Sequence, residues 1–375
     1  MEKQNRKKFH MILPICMAVI IIVMDILFIV IPDRTSSETE NRNLEQLPSI
    51  TWNTVTNGRF ESLFDTYVAD QFPFRDSMIN IKTFVSRLAG KRESNGIFLC
   101  GDGYLIQQFS APSDSEYEEI LRSFSDITSG HSDLNIYALI APTKVSVLKD
   151  KLPLNAVNIA GDEDAFMDSL LKDLNYLGII TIDVRDTLSE LEKEGTAAYY
   201  RTDHHWTTDA AFAAYNDFSQ AAATFGNAKY DRLLVSDSFR GTLSASSGFL
   251  TNETDRIYVY LSEYDDPEAD PGISLDSAFY TVTNVDTGEK TASLYDVSFL
   301  QTRDKYALFL GGNHGELKIR TTSSSERDII VIKDSYANCF IPFLIPDFRS
   351  ITVIDPRYYP GDLNSLISDE NFTDI

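Results

Sequence analysis

Apolar and polar positions alternate along this chain with periods that change from one stretch to the next. Met11 to Ile31 is an apolar run interrupted only by Pro14 and Asp25. At about 1.5 Å per helical residue it is long enough for a hydrocarbon core roughly 30 Å thick. Lys3, Arg6, Lys7 and Lys8 precede it, which favours a cytoplasmic N-terminus. Its exit, VIPDRTSSE, has no small-residue cleavage pattern, so the run predicts an uncleaved signal anchor rather than a removed signal peptide. Residues 1–10 are then a cytoplasmic basic segment, 11–31 the transmembrane helix and 32–58 a polar linker. From Phe60 the period becomes helical, with Phe60, Leu63, Phe64, Tyr67 and Val68 on one face. DQFPFR breaks this helix at Pro73, and Met78 to Leu88 resumes it.

Further on, GIFLCGDGYLIQ reads as a hairpin, with apolar strands flanking GDG. Glu116–Ser129, Asp164–Tyr176, Asp186–Glu194 and Thr208–Phe225 carry helical patterns. LNIYALIA (134–141) and GIITIDV (178–184) are short apolar runs that predict buried parallel strands. Residues 234–325 change style. RIYVYLSEY, AFYTVTN and YALFLGG predict antiparallel strands inserted into or decorating the α/β core. RDIIVIKDSYANCFIPFL (327–344) returns to a central strand followed by a helix from Tyr336 that Pro342 ends. Ile351–Ile354 is one more strand, and NFTDI reads as the start of another. Alternating strands and helices of this kind predict a parallel sheet covered on both faces.

Composition narrows the function classes. Acids number 56 against 33 bases, a formal charge of −23, which opposes nucleic-acid binding. With 23 Phe and 18 Tyr the chain has the means for a large core. Cys16 falls in the apolar run, so Cys100 and Cys339 alone remain to pair and no disulfide framework is expected.

Two of the five histidines stand side by side in TDHHW (202–206). Were this segment extended, Asp203 and His205 would face one way and His204 and Trp206 the other. An acid and a base on one side of a short segment suit activation of a weak nucleophile. Ser335 fits that role by position, where the strand's carboxyl end meets a helix N-terminus with N–H groups for an oxyanion. Serine is also an ordinary N-cap. A metal site is not expected, because neighbouring side chains on an extended segment diverge and no HxxxH or HExxH is present; no cofactor is expected either. FLGGNHGE (309–316) offers Asn313 as an oxyanion donor, with a plain hairpin turn as the other reading. Lys144 and Tyr336 are further candidates to line the cleft, and Lys144 reads equally as a solvated lysine.

Taken together, TDHHW, IKDSYANCFIPFL, GGNH and the early ENRNLEQLP and DQFPFR stretches resemble the DHHW protein family. That family is similar to the SGNH-hydrolase-like O-acetyltransferases that acetylate alginate and other exported polysaccharides. The resemblance runs from about Glu40 onward. It implies an α/β fold: a three-layer SGNH-hydrolase-like core over 59–375, with a β-rich insertion at about 234–325. It implies Asp203, His205 and Ser335 as acid, base and nucleophile, and an extracytoplasmic O-acetyltransferase acting on a polysaccharide acceptor. A carbohydrate esterase using the same residues, or a glycan-binding scaffold of an export complex, are the alternatives. A transferase outside the membrane also implies a multi-span membrane acyltransferase as its acetyl source.

Overall fold

Ile329 to Ile332 is apolar at every position because both of its faces are covered. Ile330 packs with Ile354, Ile367 and Phe372, while Ile329 turns into the main core with Ile351, Val353 and Phe343. The computed structural model describes residues 2–37, 42–224, 228–249, 253–263, 265 and 279–375; the side chains of 2–13 and of 36, 42, 43, 76 and 80 are also set aside.

Asp328–Ile332 pairs in parallel with Ser350–Ile354. The sheet then continues antiparallel through Glu316–Thr321, Tyr280–Asn284 and Lys290–Thr291. On the other side of Asp328–Ile332, Asp374 bridges in parallel to both Ile329 and Asn135. The Ile330 N–H donates to the Asp374 carbonyl (3.0 Å) and the Tyr137 N–H to the Ile375 carbonyl (2.9 Å). Tyr137–Leu139 pairs in parallel with Ile180–Ile182. The two apolar runs expected to be buried parallel strands therefore lie side by side.

Helices Asp114–Gly130 and Glu163–Tyr176 cover one face of that pair, with Tyr117, Phe124, Leu170 and Leu174 against Ala138 and Ile179. Helix Thr208–Ala222 packs on the opposite face, its Phe218 ring 5.5 Å from Tyr137. The fold is mixed α/β. The antiparallel segments Tyr280–Asn284 and Glu316–Thr321 extend the same sheet as Asp328–Ile332, while Tyr230–Phe239 and Asp255–Ser262 form a separate bulged pair. Parts of the expected insertion, 250–252, 264 and 266–278, lie outside the described residues.

Two expectations are corrected. YALFLGG is a 3-10 turn, Lys305–Leu308, rather than a strand, and only Phe309 bridges to Tyr295. The segment after Ile332 is not an α-helix either. It forms two short 3-10 turns, Ser335–Cys339 and Ile341–Leu344, with Pro342 restricting the second.

The chain falls into two compact units, Met1–Lys91 with Gly248–Leu250, and Arg92–Ser247 with Thr251–Ile375. In the first, helix Glu2–Val30 meets helix Arg59–Gln71 through Phe28 and Tyr67, ring centroids 5.8 Å apart. The Tyr67 hydroxyl donates to Asp33 (3.1 Å), and Gln71 and Arg34 exchange two hydrogen bonds. Helix Arg75–Leu88 follows the break at Pro73. The expected membrane span at 11–31 lies partly outside the residues whose side chains are described. Among the described residues no helix is long and apolar enough to cross a membrane.

Candidate active site

The segment Tyr199–Thr207 is bent, not extended. Tyr199 bridges to Trp206, and the Thr207 N–H donates to the Ala198 carbonyl (2.8 Å). What shapes the bend is a buried carboxylate more than fifty positions away. Asp255 accepts from the Arg201 N–H (2.6 Å), the Thr202 N–H (2.8 Å) and the Thr202 hydroxyl (2.6 Å). Lys144 braces the same segment from below. Its ammonium is buried and donates to the carbonyls of Leu105 (2.8 Å) and Arg201 (3.3 Å), so it is not a solvated lysine. Burial pulls its pKa down to about 8, against the pull of Asp255 and Asp203.

Within the bend the His205 N–H turns back onto Asp203 Oδ1 (3.0 Å). His204 and His205 therefore do not diverge; their ring centroids are 3.9 Å apart. One ligand-type atom from each of Asp203, His204 and His205 lies within 4.8 Å of the others, so these side chains converge where an extended segment would separate them. Each is already engaged: Asp203 Oδ1 with His205 Nδ1, and His204 Nδ1 with the Thr242 hydroxyl (2.8 Å).

Three of the expected side chains meet. His205 Nδ1 is 2.5 Å from Asp203 Oδ1, and His205 Nε2 is 2.8 Å from Ser335 Oγ. A carboxylate only accepts, so Nδ1 carries the proton and Nε2 presents its lone pair to the serine hydroxyl. Asp203 Oδ2 is held separately, by the Thr242 N–H (2.8 Å) and hydroxyl (3.0 Å). Burial raises the carboxyl pKa, but His205, His204 and the Thr242 N–H outweigh it and hold Asp203 well below the ordinary range. Gly241 is required here, since a Cβ on it would fall 2.1 Å from the Cβ of Asp203. The His205 ring is stacked on Tyr306, centroids 3.9 Å apart at 11°. Asp203 and His205 are buried, while Ser335 is half-buried.

Ser335 opens its turn but does not cap it. The N-cap is Asp334, whose carboxylate accepts from the Tyr336 N–H (2.9 Å). Three bonds lock this turn to its surroundings. Trp206 Nε1–H donates to the Tyr336 carbonyl (2.8 Å), the Tyr336 hydroxyl to the His204 carbonyl (2.6 Å), and the Tyr306 hydroxyl to the Ser335 carbonyl (3.0 Å). The Tyr336 hydroxyl is thus a strut between loop and turn.

Lys333 ties in the GGN loop. Its buried ammonium donates to Asn338 Oδ1 (2.7 Å), Asn313 Oδ1 (3.1 Å) and Asp355 Oδ2 (3.4 Å). Asn338 Nδ2 also donates to Asn313 Oδ1 (3.2 Å). The oxygen end of the exposed Asn313 amide is therefore held by the protein. Leu310, Gly311 and Gly312 all have positive φ (63°, 72° and 98°), a conformation that costs little at the glycines and favours them there. His314 pins this turn, its Nε2–H donating to the Leu310 carbonyl (2.9 Å).

Thr242, Asp255, Lys333 and Tyr306 escaped the sequence reading. Only Lys333 carried a signal, as the residue that ends IIVI inside KDSYA. Cys100 and Cys339 are both free and buried.

His204 supplies a pH test. Burial lowers its pKa from the ordinary 6.5 to about 4, against the pull of Asp203. Between those values the unfolded chain binds the proton more tightly. The stability that depends on a neutral ring is therefore full above pH 6.5 and lost as pH falls toward 4. On lowering the pH through that window, the wild type should lose stability relative to His204→Asn by about 1–2 kcal/mol, a figure already reduced for the exposed part of the ring. Denaturant unfolding at several pH values reads this difference, and a flat difference contradicts it.

A sequence profile of the DHHW protein family matches residues 80–354. Among solved structures the chain is similar to a DHHW family protein from Eubacterium siraeum, with 23% identity, 75% of this chain and 89% of that chain covered, and a TM-score of 0.56. It is also similar to Bacillus cereus PatB1, solved with a sulfonyl adduct, with 19% identity, 74% of this chain and 93% of that chain covered, and a TM-score of 0.55. The O-acetyltransferase domain of Pseudomonas putida AlgJ is more distant, at 13% identity, with 69% of this chain and 78% of that chain covered and a TM-score of 0.40. Identities this low show a shared fold. No curated protein matches the chain.

Proposed function

The chain belongs to the DHHW protein family, and from that premise we propose that it is a serine-dependent O-acetyltransferase that esterifies polysaccharide hydroxyls outside the cytoplasm. The observation that carries this reading is the line from Asp203 Oδ1 through the His205 ring to Ser335 Oγ, with contacts of 2.5 and 2.8 Å. Such a line supports general-base activation of an alcohol.

In this mechanism His205 Nε2 takes the Ser335 proton as Oγ attacks the acetyl carbonyl. Collapse of the tetrahedral adduct breaks the donor's acyl bond, and His205 returns the proton to the leaving group. An acetyl-serine remains. His205 then deprotonates a sugar hydroxyl, which attacks the acetyl carbon; the bond to Oγ breaks and the proton returns to Ser335. Asp203 keeps the imidazole in the working tautomer and stabilises its charged form. The Asn313 amide donates from its Nδ2 end to the oxyanion, because Lys333 and Asn338 occupy its oxygen.

The parallel pairing of Ser350–Ile354 with Asp328–Ile332 and of Tyr137–Leu139 with Ile180–Ile182, linked through Asp374, supports an SGNH-like core. Lys333 and Asp355 follow the carboxyl ends of two of these strands, the position at which open α/β sheets bind ligands. The apolar run at 11–31 supports a membrane anchor with the remainder extracytoplasmic. On that placement the acetyl groups come from a multi-span membrane acyltransferase.

Incubation of the full chain with an acetyl ester of methylumbelliferone, with and without a panel of oligosaccharides, tests the reaction class. Acetylated oligosaccharide in the mass spectrum is the expected product. Acetate released at the same rate with every acceptor would make the protein an esterase, and no turnover of any ester would remove the enzyme reading.

A further inference from the structure

Helix Arg75–Leu88 carries an apolar face that is exposed among the described residues. Phe74 at its N-cap, with Met78, Ile81, Phe84, Val85 and Leu88, is 40–73% exposed. At 100° per residue these positions fall within a sector about 120° wide. The other side of the helix is already occupied: Ile79 and Thr83 pack so closely on Gly248 that a Cβ there would lie 3.0 and 2.9 Å from them.

We propose that this face docks on a lipid bilayer, at the boundary between headgroups and acyl chains. Charge supports that occupant. The helix holds Arg75, Lys82 and Arg87 against Asp76, a net +2 within a chain of −23. Basic residues flanking a face of Phe, Ile and Leu are the pattern of an interfacial helix, drawn to anionic headgroups. Continuity supports it too. The preceding helix is clamped to the end of the apolar Glu2–Val30 helix by the Phe28–Tyr67 contact, the Tyr67–Asp33 bond and the Arg34–Gln71 pair. Trp52, in the same unit, is 85% exposed, and such an amphipathic ring sits well at headgroup level. The location rests on the reading of 11–31 as an anchor; the amphipathic face itself does not.

The full chain reconstituted into phosphatidylcholine–phosphatidylglycerol vesicles provides the test. A polarity-sensitive fluorophore is placed on Ile81→Cys or on Ser86→Cys in a Cys16→Ser background, and on native Cys16 in a third sample. Lipids carrying a nitroxide near the headgroup or deep in the acyl chain serve as quenchers. Docking predicts a blue-shifted Ile81 probe, quenched by the shallow nitroxide several-fold more than the Ser86 probe. Equal, weak quenching at both sites overturns it, even when the Cys16 probe is quenched by the deep nitroxide and the anchor holds. Energy transfer between Ile81 probes that persists after dilution into detergent would assign the face to a second copy, and also overturns it. Quenching at Ile81 with none at Cys16 supports docking and removes the anchor.

Discussion

Ser335→Ala should reduce acetyl transfer by about 10⁶-fold in kcat, since members of a Ser-His-Asp unit act together and loss of the nucleophile leaves only binding and oxyanion stabilisation. The structure says why no neighbour substitutes for it. His205 Nε2 faces Ser335 Oγ at 2.8 Å, and the nearby hydroxyls are already donated elsewhere: Thr242 to Asp203, Tyr336 to the His204 carbonyl and Tyr306 to the Ser335 carbonyl. Removing one half-buried oxygen costs little stability, so thermal unfolding should stay within a few degrees of wild type. Initial rates with an acetyl ester and an oligosaccharide acceptor read the effect. A variant that keeps a tenth of the wild-type rate would contradict it.

Asp203→Asn should lower kcat by about 10⁴-fold while leaving KM nearly unchanged, because the amide favours the wrong imidazole tautomer. Asp203 accepts four hydrogen bonds, from the His205 N–H, His205 Nδ1–H, the Thr242 N–H and the Thr242 hydroxyl. An amide has one accepting atom and a donor in place of the other. One side of the carboxylate site must then face donor to donor. If the amide oxygen stays with Thr242, the amide nitrogen meets Nδ1. The ring is driven to carry its proton on Nε2, where it can no longer accept from Ser335. Near-UV and far-UV spectra should change little, which separates this effect from unfolding. A pre-steady-state burst of normal size with slow turnover would show that the first acyl transfer survives, and would count against the assigned role.

Apolar periodicity was enough to find most of the sheet and its covering helices. IIVI and LNIYALIA became strands covered on both faces, whereas GIITIDV pairs beside LNIYALIA with Ile180 left 42% exposed. The helix over Glu163–Tyr176 follows from its 3.6-residue spacing. Local pattern failed wherever a distant residue sets the backbone. The bend through TDHHW depends on Asp255, and nothing near it in sequence announces that carboxylate. Asp203 and His205 do not share one side of an extended segment; they meet because the His205 N–H folds back on Asp203 Oδ1. YALFLGG has the composition of a strand, yet it turns as a 3-10 segment, so that Tyr306 lies under His205 and reaches the Ser335 carbonyl. Lys144 reads from the sequence equally as a cleft residue or a solvated lysine, because the carbonyls that hold it, of Leu105 and Arg201, lie far along the chain.

In the proposed mechanism Ser335 is a nucleophile driven by His205. Phenylmethylsulfonyl fluoride tests it by forming a stable serine sulfonate ester, with the proton and fluoride leaving. Digestion and tandem mass spectrometry after treatment of wild type, His205→Ala and Ser335→Ala should find one adduct, on Ser335, in the wild type. It should form at least a hundredfold more slowly in His205→Ala, in line with the usual contribution of a general base, and not at all in Ser335→Ala. An adduct on Ser335 that forms equally fast without the imidazole, or a wild-type protein that takes up none, would contradict the account.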